Sequence, residues 1–172
     1  MLVDDHQKPV EIGKVDFEHL YLAKVPSDLE YIPPLRQLFS DIAKSEGFHK
    51  KFCFRTEVVV DELCNNAILH GCQAPDSQIT VEAQFTNSKM ELSVQDAGGP
   101  QENLERLQRA LQHIVLEDKR KERRTRGLEI VQMLCNDLSL HLENSTKVKV
   151  TKKKEEQGPQ STGGEVLYES KI

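Results

Sequence analysis

The chain has 172 residues, 30% of them charged and 5% aromatic, with no Trp and a net charge of −5. That is enough chain for one domain with a full core, an aliphatic one given the shortage of aromatics. The negative balance argues against a general nucleic-acid binder, and no apolar run approaches the length of a membrane span. The opening MLVDDHQKPV lacks the apolar stretch of a signal peptide. Cys53, Cys64, Cys72 and Cys135 form no C-x-x-C pair, which fits reduced thiols in a cytoplasmic protein.

In chain order, residues 1–13 read as a charged lead-in bounded by Gly13. Lys14–Val25 alternates through Val15, Phe17, Leu20 and Leu22 with some irregularity, the pattern of a strand. Pro26-Ser27 breaks it, and Ser27 or Asp28 can cap a helix beginning there. Leu29, Ile32, Leu35, Leu38, Phe39, Ile42 and Ala43 predict that helix as an amphipathic one, interrupted near Pro33-Pro34 and closed by Gly47. His49–Phe54 reads as a short connector, with His49 a surface residue that has no metal-binding partner at useful spacing.

Thr56–Gly71, TEVVVDELCNNAILHG, predicts the next helix. Thr56 can cap it, Val59, Leu63 and Ala67 recur every fourth residue, and Gly71 stops it. Two polar pairs share this helix, Asp61 with Asn65 and Glu62 with Asn66. Residues four apart project side by side. A carboxylate beside a carboxamide suits either a solvated face or a site, and spacing alone does not choose.

Gln78–Phe85 and Lys89–Val94 alternate around Thr86-Asn87-Ser88, which predicts a β-hairpin. Its second strand runs into Asp96-Ala97-Gly98-Gly99-Pro100, a pattern a plain turn explains as well as a site does. Leu104, Leu107, Leu111, Ile114 and Val115 put a helix within 101–118. KRKERRTR, Lys119–Arg126, comes next as a solvated loop or a basic lid; a single block without aromatics makes a poor RNA-binding surface. Arg126–Leu138 predicts a helix with Ile130, Val131, Leu134 and Leu138 inward. Strands are expected at Asp137–Leu142 and Lys147–Thr151. The tail, 153–172, is charged and then rich in Gly, Pro and Ser, with Glu165–Glu169 a candidate edge strand.

Glu62-x-x-x-Asn66-Ala67-x-x-His70-Gly71 resembles the first conserved box of the GHKL ATPases, and DELCNNAILHG looks most like that of the bacterial anti-sigma-factor serine kinases. The resemblance spans about residues 15–152 and selects Glu62/Asn66 over Asp61/Asn65. It implies an α+β, two-layer sandwich of the GHKL type over residues 14–152, with helices on one face of a mixed, largely antiparallel sheet. It further implies that Asn66 holds Mg2+, that Glu62 is the catalytic base, and that Asp96 accepts the adenine amino group of ATP. Gly98 matches the second box, where Pro100 replaces its last glycine. Gly127 matches the third box, ahead of a helix whose amino end meets the phosphates, with Arg126 beside it. There Glu129 replaces a second glycine and, if it faced the phosphates, would weaken binding.

The implied function is a protein serine/threonine kinase that binds a sigma factor and phosphorylates a small antagonist protein, with a homodimer possible and neither nucleic acid nor membrane as direct partner. The alternative is a degenerate binding module of the same fold, which the two altered glycine boxes favour.

Overall fold

The computed structural model describes residues 11–14, 19–72, 74–113, 123–142 and 145–155. Among them, six strands form a single sheet in the order β1-β2-β3-β4-β6-β5. These are β1 Glu11–Lys14, β2 Leu20–Pro26, β3 Gln78–Phe85, β4 Lys89–Asp96, β5 Asp137–Leu142 and β6 Thr146–Lys153. All five pairings are antiparallel, so the expected mixed sheet is antiparallel throughout the described strands. The helices are α1 Ile32–Ser45, α2 Lys50–Asn66, α3 Gln101–His113 and α4 Arg123–Leu134.

The strands alternate between two unlike faces. One row of partners crosses the sheet as Ala23, Val81, Val94, Val148 and Leu140, and the next as Tyr21, Ala83, Leu92, Val150 and Leu138. These rows face the helices and build the core with Phe39, Phe52, Val59, Val60 and Leu63. The opposite face is polar: Glu91 receives Lys149 at 2.6 Å and Lys89 at 2.5 Å, and these two lysines hold its carboxyl below the usual range. One apolar face and one solvated face require helices on one side only, giving two layers.

Several sequence expectations shift in this frame. The strand read over 14–25 is two strands, and β1 draws Glu11–Gly13 of the lead-in into the sheet. Tyr21, Ala23 and Val25 take the inner face, leaving Leu20 and Leu22 on the outer one, because the pairing of Ala23 with Val81 sets the register. Pro33 and Pro34 do not interrupt α1. They occupy its first turn, where the missing N–H groups cost nothing, after a short 3-10 turn capped by Asp28. Gly47, at φ +82°, closes α1 with Phe48 N–H bonded to Ala43 and Gly47 N–H to Lys44.

α2 starts six residues before the expected Thr56. His49 is its cap, its Nδ1 accepting from Phe52 N–H at 3.1 Å, and Thr56 is buried with its hydroxyl donated to Phe52 O. The core stripe extends backward through Phe52 and Cys53, which outweighs a capping residue in mid-stripe. Nor is the core purely aliphatic: Phe48 stacks 4.2 Å from Phe52 and 5.6 Å from Phe85. That aromatic cluster sits at the Met90 end of β4, about 20 Å of extended strand from Asp96. α4 also begins earlier than expected and ends at Leu134; Leu138 belongs to β5, and Ile130 is 39% exposed. The candidate strand at 165–169 and the run 119–122 lie outside the described residues.

Candidate active site

α2 carries Glu62 and Asn66 one turn apart, and its end widens into a π-helical turn, Ala67–Gly71. A widened turn rotates the last residues relative to the regular spiral, and π turns gather at functional positions. Here the rotation brings His70 and Gly71 against the end of β4. Asp96, 6% exposed, closes that strand, and its Oδ1 accepts from Gly98 N–H at 2.8 Å. Gly98 adopts φ +85°, the left-handed conformation open to glycine, and so turns the chain sharply after Asp96.

Three glycines hold these parts together by close approach. A Cβ on Gly71 would lie 2.0 Å from Asp96 Oδ2; on Gly99, 2.2 Å from the His70 carbonyl oxygen; on Gly127, 2.2 Å from Glu62 Oε2. Each glycine therefore makes room for a group of the candidate motifs.

Asn66, His70, Gly71 and Asp96 line one cavity together with Leu63, Val94, Asn103, Leu104, Leu107 and Thr146. It joins the end of α2, the end of β4, the start of β6 and the inner face of α3. Two buried polar atoms in its lining, Asn66 Nδ2 and Thr146 Oγ1, have no hydrogen-bond partner among the described residues. Buried polar groups without partners are rare and mark places built for a ligand or water. The lining thus offers an amide, a hydroxyl and a carboxylate. The unpartnered Asn66 Nδ2 is a donor, which suits a phosphate oxygen; the oxygen of the same amide is of the kind magnesium prefers, and a carboxylate beside a hydroxyl suits an exocyclic amine. The residues fit Mg-ATP.

Glu62 and Gly127 do not line this cavity; they meet each other next to it, where α2 packs on α4. Gly127 lies inside α4, which starts at Arg123, not ahead of the helix as expected. Arg126 falls in the first turn of that helix. Two residues along a helix turn the side chain by about 200°, so Glu129 projects away from the side on which Gly127 meets Glu62. Pro100 replaces a glycine at a point where its carbonyl accepts from Asn103 N–H at 2.9 Å and Leu104 N–H at 3.2 Å, starting α3.

Sequence reasoning missed Thr146, which lies one residue ahead of the expected strand Lys147–Thr151 and opens β6. Its signal lies in the register: Thr146 is the cross-strand partner of Asp96, so both side chains share the inner face at the same level. It also missed Asn103, whose Nδ2 donates to the His70 carbonyl at 3.2 Å. No local sequence feature distinguishes Asn103 from other polar helix residues.

A helical layer carrying Glu62 and Asn66 against a strand ending in Asp96 defines a nucleotide-binding domain of the GHKL type. Residues 25–152 match the histidine kinase-like ATPase domain, and the chain belongs to that family. The serine-protein kinase RsbW of Listeria innocua serovar 6a is 28% identical over 131 residues, covering 75% of this chain and 83% of the relative. The RsbW proteins of Listeria monocytogenes serotypes 4a and 4b match with the same identity and coverage. Among the described residues, no helix is long and apolar enough to cross a membrane.

Proposed function

We propose that this protein is a serine/threonine kinase of the anti-sigma-factor class. It binds Mg-ATP between α2 and β4 and phosphorylates a small antagonist protein in a partner-switching pathway with a sigma factor, in the cytoplasm. The observation that carries this reading is the pairing of two unpartnered polar atoms, on Asn66 and Thr146, with the carboxylate of Asp96 in one lining. The relatives named serine-protein kinase support the choice of reaction.

Mg-ATP, when bound, supplies the γ-phosphoryl group and charge neutralisation at the phosphates. Asn66 gives the metal an amide oxygen. Asp96 accepts from the amino group of adenine, with the Thr146 hydroxyl beside it. Glu62, partly exposed one turn from Asn66, takes the proton from the attacking serine or threonine hydroxyl. The Gly127 backbone fixes where that carboxylate stands.

A second reading, a binding module that has lost turnover, is favoured by one observation: the cavity beneath α3 encloses about 20 Å³, room for a single water. Calorimetry with Mg-ATP and a phosphotransfer assay on a cognate antagonist separate the two. The kinase reading expects binding that Asn66→Ala abolishes. It also expects a ~10²–10⁴-fold slower transfer in Glu62→Gln, the usual weight of a general base. Wild-type transfer in Glu62→Gln would refute the base assignment, and absence of any nucleotide binding would favour the module.

A further inference from the structure

Three of the five large apolar side chains exposed among the described residues belong to one place. Phe54 on α2 is 63% exposed, and Ile130 and Met133 on α4 are 39% and 85% exposed. α2 and α4 run antiparallel. Gly127 near the start of α4 meets Glu62 near the end of α2. Lys152 joins the opposite ends, its Nζ donating to Leu134 O at 2.5 Å and lying 5.2 Å from the centre of the Phe52 ring. At 1.5 Å per residue Phe54 lies about 12 Å back from Glu62 and Met133 about 9 Å on from Gly127, so the two stand at nearly one level. Around the axes, Phe54 is turned about 80° from Glu62, and Ile130 and Met133 about 60° and 120° from Gly127, toward solvent. They flank the seam where the helices meet, with half-buried Val58 and Leu134 at its floor. A lone exposed apolar residue is ordinary, whereas a cluster of them marks an interaction surface.

The last described residues carry the chain to this seam. Lys154 N–H donates to Ser88 O, and its ammonium lies 5.3 Å from the centre of the Phe48 ring. Glu155 then reaches α2, its carboxylate taking Arg55 and, at 3.5 Å, Lys51. Lys51, Arg55, Val58 and Glu62 succeed one another at spacings of three and four, on the side of α2 that faces α4. Residues 156–172 lie outside the described residues. Their sequence, EQGPQSTGGEVLYESKI, holds one apolar run, Val166-Leu167-Tyr168. From Glu155 to that run an extended chain spans roughly 30 Å or more, which exceeds the length of the seam. Glu165 and Glu169 flank the run, and Lys50, Lys51 and Arg55 supply the opposite charge at the end of the seam where Glu155 is held.

We propose that Val166-Leu167-Tyr168 docks in cis on the α2/α4 seam and covers Phe54, Ile130 and Met133. The docked run lies alongside the helix pair whose contact stations Glu62. A tether of this length gives an effective concentration of about millimolar, so a contact too weak to hold a separate peptide suffices within one chain. The docking does not depend on the nucleotide reading, because none of its contacts belongs to the cavity beneath α3.

The chain has no Trp, so Tyr168→Trp in the full chain places a single reporter in the run. Val166→Trp gives a second reporter, in case the first disturbs the contact. Emission wavelength and quenching by acrylamide are read for the folded protein and in urea, over a range of protein concentrations. Each reporter is also combined with Phe54→Asp, with Met133→Asp, or with Leu29→Asp. Leu29 is another exposed apolar residue, in the turn before α1, and serves as the control. Circular dichroism checks that each variant keeps its helices. The expected result is a blue-shifted, shielded reporter that Phe54→Asp or Met133→Asp returns to solvent-like emission and that Leu29→Asp leaves unchanged. Solvent-like emission from both reporters in the folded chain overturns the docking. A shielded reporter that neither seam substitution moves also overturns it, since the run then lies elsewhere. Shielding that appears only as protein concentration rises, together with a dimer in sedimentation, overturns docking in cis in favour of a second copy.

Discussion

Replacing Gly127 by Ala should uncouple nucleotide binding from phosphotransfer. In the interior of a helix this substitution ordinarily stabilises by about 0.5–1 kcal/mol, since Ala loses less backbone freedom on folding. Here the new Cβ would stand 2.2 Å from Glu62 Oε2, 3.1 Å from its Cδ and 3.8 Å from its Cβ. Only the end of the side chain is overrun. The carboxylate escapes by turning about its last bonds, a displacement of roughly 1 Å, and a shift of that size in a catalytic group costs about 10²-fold in rate. Stability should therefore stay within about 1 kcal/mol of wild type, because the propensity gain offsets the rotamer cost. Asn66, Asp96 and Thr146 are untouched, so the dissociation constant for Mg-ATP should change little. Single-turnover phosphotransfer, calorimetry and thermal melting on the same preparations measure the three quantities. A transfer rate within twofold of wild type, with binding intact, would refute the claim that Gly127 positions Glu62.

Gly71→Ala should have the complementary effect. Its Cβ would fall 2.0 Å from Asp96 Oδ2 and 2.1 Å from Cγ, and that carboxylate is buried and already held by Gly98 N–H, so calorimetry should show Mg-ATP binding lost or cut at least tenfold. Unaltered affinity would remove Asp96 from the site. A second expectation concerns alkaline pH. Burial pushes the Cys64 thiol strongly upward and the Cys135 thiol up to about 11, while both ionise near 9 once unfolded. Above pH 9 the unfolded chain thus binds fewer protons than the folded one, and unfolding free energy falls by up to about 1.4 kcal/mol per pH unit for each thiol. Lys152 opposes this: burial lowers its pKa, so its contribution to stability rises as pH approaches 10.5. Urea titrations under reductant between pH 8 and 10.5 should show a downward slope that flattens in the Cys64→Ala/Cys135→Ala double variant; an equal slope in both would refute the assignment.

What could be read in the sequence was the part with short-range cause. The hairpin Gln78–Phe85 with Lys89–Val94 came from alternation around a polar turn, its second strand running two residues further to Asp96 in the structure, and Gly47 from its place after the last apolar residue of α1. Asn66 and Asp96 were legible because a resemblance fixed the register, and the fold then brought both onto one cavity. What escaped depends on partners far along the chain. Thr146 matters because β6 pairs with β4 in the register that sets it opposite Asp96, 50 positions away in sequence. The start of α2 was misplaced because His49 caps with a ring nitrogen, an uncommon substitute for Ser, Thr, Asp or Asn. The π turn has no local signal in AILHG and is recognised only by the contacts of His70 and Gly71 with the Asp96–Pro100 loop.

The glycine pattern bears directly on whether the site has decayed. The two departures that favoured a degenerate module were Pro100 and Glu129, each standing where a glycine was expected. A glycine is irreplaceable only where a side chain would collide or where φ is positive. The residues meeting those conditions around the site are Gly71, Gly98, Gly99 and Gly127, and all four are present. Pro100 sits at the entry to α3, where its carbonyl takes two helix N–H groups and its missing N–H costs nothing. Glu129 lies about 200° around α4 from the contact with Glu62. Neither departure touches the geometry that joins Glu62, Asn66 and Asp96. The substitutions alter the approach to the site and leave intact the close contacts that Gly71, Gly99 and Gly127 make with Asp96, His70 and Glu62.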